Sequence, residues 1–155
     1  MSGPGMKETR LPDSQIIGEA RIRMPAWELA LTQAIESARS SPFAWGVHDC
    51  ASWVFDLRRD LTGGEDVAAL WRGRYQTQRG AALVMRRLGW ASLEDGARTL
   101  LGAPLGTVHL AQRGDLVLSS DGAALGICLG ARAAFLGPEG LTFVPVSTCS
   151  LAWRV

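Results

Sequence analysis

Apolar residues in this chain recur at helical spacing up to Leu101 and at strand spacing from Asp115 onward. A helix repeats its face about every 3.6 residues and a strand about every two, so one segment cannot satisfy both periods. Helices therefore come first and strands afterwards. Strands joined by short turns pair antiparallel, and amphipathic helices must bury their stripes on something. The order predicts an α+β domain, with N-terminal helices packed on a C-terminal antiparallel sheet. At 155 residues the chain fits one such domain.

Local signals place the elements. Residues 1–20, with Gly3, Pro4, Gly5 and Pro12, read as an irregular arm, which leaves 21–155 as the single domain. Pro25 suits the first turn of a helix that carries Trp27, Leu31, Ala34, Ile35 and Ala38 on one face and stops at Pro42. A second helix begins at Cys50, where Asp49 can cap it, and ends at Gly63-Gly64. Its inward residues are Trp53, Val54, Leu57 and Leu61, and its outward ones Asp56, Arg58, Arg59 and Asp60. Residues 68–75 form a connector. Thr77 caps a third helix through Leu88, and Ser92, three residues before Asp95, opens a fourth that reaches Leu101. Strands are expected over 115–119, 125–130, 133–136, 141–146 and 151–155, with turns at Gly130-Ala131 and Pro138-Glu139-Gly140.

Bulk properties exclude several functions. The formal net charge of +1 lacks the positive field by which a dedicated nucleic-acid binder displaces counterions. The apolar run 123–137 is cut by Gly126, Gly130 and Arg132, so it reads as a hairpin and not as a membrane span. No short-spaced Cys/His pairs mark a zinc site, and no phosphate-binding glycine fingerprint is present, so no metal or cofactor is expected. Cys50, Cys128 and Cys149 make an odd set without disulfide spacing, which fits a reducing compartment. Trp45, Trp53, Trp71, Trp90 and Trp153 are expected mainly in the core.

Cys50 is the candidate nucleophile. A thiol in the first turn of a helix meets unpaired N–H groups and the positive end of the helix dipole, and both favour the thiolate. Hydrolysis also needs an imidazole to move protons. The chain has two: His48, in the bend just before Cys50, and His109, ahead of the Gly114-Asp115 strand start. Each also has a plainer role, His48 as a turn residue and His109 as an exposed loop residue. A buried, inert thiol is the plain reading of Cys50.

Asp49-Cys50 ahead of a helix, Gly114-Asp115-Leu116-Val117, and Leu125-Gly126-Ile127-Cys128-Leu129-Gly130 come in the order of three motifs of the NlpC-type cell-wall peptidases. The chain thus resembles a papain-like family, and the resemblance implies a papain-like fold. A second set of segments is Pro42-Phe43-Ala44-Trp45-Gly46, His48-Asp49-Cys50, Trp71-Arg72-Gly73-Arg74-Tyr75 and Ala134-Phe135-Leu136-Gly137. These are similar to a family of phage and prophage proteins encoded among tail genes. That likeness implies a tail-tip or baseplate component whose partners are other tail proteins. Its implied location is the host cytoplasm during assembly and then the virion tail. The peptidase pattern is broken at Ala124, where those enzymes carry the catalytic histidine, and at Ala51-Ser52, where they carry Ser-Gly. The expected function is therefore a structural tail component with a degenerate peptidase fold. The alternatives are a cysteine peptidase or amidase acting on peptidoglycan, with Cys50 as nucleophile and His109 or His48 as base, and a tail-assembly factor.

Overall fold

The computed structural model describes residues 22–155. The arm expected over residues 1–20 lies outside them. Among the described residues four helices, α1 (Trp27–Ser40), α2 (Cys50–Thr62), α3 (Gln78–Arg87) and α4 (Leu93–Leu101), precede five strands. The strands are β1 (Leu116–Leu118), β2 (Leu125–Cys128), β3 (Arg132–Gly137), β4 (Gly140–Pro145) and β5 (Leu151–Trp153). They form one antiparallel sheet in the order β4-β3-β2-β1-β5. The class is α+β, as the change of period predicts.

The caps follow the residues expected to make them. The Asp49 carboxylate accepts from the Ser52 N–H, Thr77 from Gly80 and Ser92 from Asp95. Gly63 closes α2 in the left-handed conformation. α1 starts later than Pro25 suggests. Ala26, at φ 60°, is its N-cap residue, and the Trp27 N–H closes a turn onto the Met24 carbonyl. Arg58, expected to point outward, is buried.

Strand alternation divides the sheet into two faces. Leu116, Leu118, Leu125, Ile127, Ala134, Leu136 and Trp153 share the main core with α1–α4. Val117, Cys128, Ala133, Phe135 and Ala152 point the other way, into a second cluster with Val108, Val146 and Cys149. Two short 3₁₀ turns, Val108–Leu110 and Val146–Thr148, belong to that second cover. Helical and strand periodicity carry no signal for it. Gly126 is required where the faces meet β3, because a Cβ there would lie 2.5 Å from the Ala134 carbonyl oxygen and 2.7 Å from the Phe135 ring.

The entry to the domain is fixed at Asp115. Its fully buried carboxylate accepts from the Gln112 and Val155 N–H groups and pairs with Arg23 and Arg154 at 3.2 and 3.1 Å. Burial raises the Asp115 carboxyl above the ordinary range, and the two N–H donors and two arginines oppose that shift. Asp115 is therefore more than a turn residue. It ties residues 22–24, the β1 start and the chain after β5 into one joint.

Candidate functional site

The site is assembled from the bend before α2 and the connector after it. Asp49 is buried. Its Oδ2 accepts from the Gly46 N–H at 2.8 Å and from the Tyr75 hydroxyl at 2.5 Å, while Oδ1 takes the Ser52 N–H at 2.9 Å. The Ser52 hydroxyl in turn accepts from the Trp71 indole N–H at 3.1 Å. Gly46 bonds back to the connector through its carbonyl and the Gly73 N–H, 2.9 Å. It needs glycine twice over: its φ is 81°, and a Cβ would lie 2.2 Å from the Tyr75 carbonyl oxygen. The segments 42–50 and 71–75, distant in sequence, are thus clasped through one carboxylate.

The connector is held from outside by an ion-pair network. Arg72 makes a two-pronged contact with Asp66, 2.9 Å on each prong, and reaches Asp56 of α2 at 2.6 Å. Arg72 holds the Asp66 carboxyl below its usual range, while burial pushes that of Asp56 up.

Behind this clasp lies a cavity of about 280 Å³ between the α2 start, the connector, α3, α4 and the β1–β2 turn. Its wall is mainly aromatic and aliphatic, with Trp45, Phe55, Trp71, Tyr75 and Trp90 among the rings. Trp71 packs edge-to-face on Phe55 at 5.5 Å and on Trp90 at 6.1 Å. Trp53, Trp71 and Trp153 are buried, as expected of core residues. Trp45, Trp71 and Trp90 also face this open space, a role that sequence reasoning missed because a lining indole and a buried one share the same helical or loop pattern.

Cys50 is the first residue of α2 and lies on the cavity wall beside Leu125 of β2. Burial pushes its thiol up to about 11; the Leu125 backbone N–H favours the thiolate, and the Asp49 charge raises the thiol further. The helix start does not produce a thiolate here. Burial also raises the Tyr75 hydroxyl above its ordinary range, with the Asp49 bond reinforcing the shift. Tyr75 is a donor fixed on Asp49 and not a base.

Neither histidine lines the cavity, and neither bonds to Cys50. His48 closes a small bridge with Ala44 through its backbone, and its Nε2 is buried with no hydrogen-bond partner. His109 is exposed in the 3₁₀ turn Val108–Leu110, next to Val108 of the second cluster, on the sheet face opposite α2. No hydrogen bond joins Cys50 to His48, two residues before it, and His109 lies on the other face of the sheet. Ala124, at the position where the resemblance expects histidine, packs against the second cluster; its neighbours Ala123 and Leu125 line the cavity. Among the described residues no three His, Cys, Asp or Glu side chains converge on a common metal position. No helix among them is long and apolar enough to cross a membrane.

A family model described as "Domain of unknown function (DUF6950)" matches residues 22–155. No curated protein and no solved structure matches the chain.

Proposed function

We propose that this chain, which belongs to the DUF6950 family, is a non-catalytic domain of papain-like, NlpC-type descent that serves as a structural component of a phage tail tip or baseplate. One observation carries the non-catalytic part. Cys50 stands at the start of its helix with no imidazole hydrogen-bonded to it, beside a carboxylate already committed to Gly46, Ser52 and Tyr75. Amide hydrolysis by a thiol needs a base to form the nucleophile and an acid to release the amine, and lack of that proton transfer costs about a hundred- to ten-thousandfold in rate. Here the thiol is also held neutral by burial. The clasp at Asp49 then serves the structure, since it fixes two loop segments against α2, as a rigid surface in an assembly requires.

The tail assignment rests on the segments around Trp45-Gly46, Asp49-Cys50 and Trp71–Tyr75, which resemble proteins encoded among phage tail genes. The partners are then neighbouring tail proteins. Mass spectrometry of purified virions and of tail-assembly intermediates tests it. The chain is expected in mature tails at fixed stoichiometry. Recovery from intermediates alone would favour an assembly factor, and absence from both would sink the tail reading. Release of soluble fragments from purified peptidoglycan, abolished by Cys50→Ser, would overturn the non-catalytic reading.

A further inference from the structure

The cavity beside Cys50 has the shape of a binding site and the chemistry of a selective one. Its volume of about 280 Å³ is close to twice that of a dry cavity of about 150 Å³ that takes up benzene. The space is therefore right for a fused two-ring system. Trp71 presents a ring between its edge-on neighbours Phe55 and Trp90, so an inserted ring can meet both faces and edges of aromatic partners. Met85 adds a polarizable, adaptable wall.

Charge is screened out. Among the described residues, Asp49 is the one charged group in the lining, and its carboxylate already accepts three hydrogen bonds. None of the described Lys, Arg or His residues lines the space to pair with an anion. The Cys50 thiol, the Gln78 side chain and the indole N–H groups of Trp45 and Trp90 are polar groups of the lining residues that can orient a guest, and Gln78 stands exposed at the start of α3. The strongly exposed apolar side chains lie elsewhere on the described surface, and the apolar residues of the lining, Trp45, Met85, Leu88, Trp90 and Leu93 among them, are half-buried.

We propose that this cavity binds one small, uncharged aromatic molecule of two-ring size. The inference rests on the reading of the Cys50 site as one without turnover. The test uses the full chain and indole as the probe, with calorimetry, thermal melting and protection of Cys50 from alkylation as readouts. Indole is expected to bind with unit stoichiometry, to raise the melting midpoint and to slow alkylation of Cys50. Tryptamine and indole-3-acetate, which add a charge to the same ring system, should bind at least about tenfold more weakly, because the acetate would bury a second negative charge near Asp49 and the ammonium would meet a carboxylate whose oxygens are already occupied by three donors. Ala82→Leu and Met85→Trp, both on the α3 wall, shrink the space, and whichever variant folds should lose indole binding while its melting midpoint no longer responds to indole. Absence of indole binding, equal binding of the charged analogues, or full binding by a folded filled variant would overturn the proposal. So would a Trp-containing hexapeptide that binds more tightly than indole, since it would assign the cavity to a protein neighbour. Slow alkylation of Cys50 in the absence of indole tests the non-catalytic reading separately, so the two failures are distinguishable.

Discussion

Cys50 should behave as a half-buried, neutral thiol and not as a nucleophile, and its reaction with iodoacetamide across pH measures the difference. Burial raises its thiol from 9.0 to about 11. At any pH well below both values, the thiolate share falls by about a hundredfold, since each unit is a factor of ten. Alkylation at pH 7.5 should therefore run at least about a hundredfold more slowly than in the urea-unfolded chain, before any loss from restricted access. The logarithm of the rate should climb by one per pH unit, without a plateau below pH 10. Rates are read from the peptide carrying Cys50, separated from those with Cys128 and Cys149. The same shift makes a stability statement. The folded value lies above the unfolded one, so the contribution of the neutral thiol is fully present below pH 9 and is lost as pH rises toward 11. Circular dichroism in parallel separates alkaline unfolding from titration in the native state. A plateau below pH 8, or native-state labelling as fast as in urea, would refute the reasoning and restore an activated nucleophile.

The clasp and its support give four further expectations. Asp49→Ala removes the acceptor of Gly46, Ser52 and Tyr75 at once and should cost about 3 kcal/mol or more in urea unfolding, because each buried donor left unpaired costs about 1–3 kcal/mol. Tyr75→Phe, which removes one donor and leaves the carboxylate its two N–H partners, should cost about 1 kcal/mol; equal losses in the two variants would show that the carboxylate is not the centre of the clasp. Gly46→Ala, at φ 81° and with its Cβ against the Tyr75 carbonyl, should destabilise by more than about 1 kcal/mol and shift the Trp emission of the 42–50 and 71–75 segments; a wild-type urea midpoint would refute the contact. Arg72→Met should cost less than about 1 kcal/mol and lose most of that effect in 1 M salt, since the network is partly exposed; a salt-independent loss would place its role in packing.

Much of the framework is legible in the sequence because it depends on local chemistry. Asp49, Thr77 and Ser92 announce helix starts by their own oxygens, and the 3.6-residue and two-residue periods assign α1–α4 and β1–β5 their faces. Periodicity alone carries the strands one or two residues too far at 115, 119, 129–130, 146 and 154–155, although 115, 119 and 129 still make cross-strand backbone bonds at the strand ends. Three features leave no local trace. The 3₁₀ turns over Val117 and Phe135 are too short to show a period. Arg58 is polar by type and buried by tertiary context. The joint at Asp115 gathers Arg23, Gln112, Arg154 and Val155 from both ends of the domain, and no spacing rule links such positions.

The site shows why motif and chemistry can part. A thiol at a helix start gains about 0.3–1 kcal/mol from the dipole when exposed, which favours the thiolate by less than one pH unit. Burial against Leu125 and the cavity wall works in the opposite direction, and the charge of Asp49 adds to it. The thiol is raised overall, so desolvation together with the Asp49 charge outweighs the backbone donors. Asp49 caps the helix, an arrangement that stabilises α2 while discouraging a second negative charge at the next residue. In a hydrolase an imidazolium beside the sulfur would reverse that balance, since an opposite charge within about 4–6 Å favours ionisation. The sheet supplies alanine at 124, turned toward the second cluster, and carries the His109 turn on its far face. A motif that starts a helix on Asp-Cys therefore specifies position and capping; reactivity depends on the residue across from it.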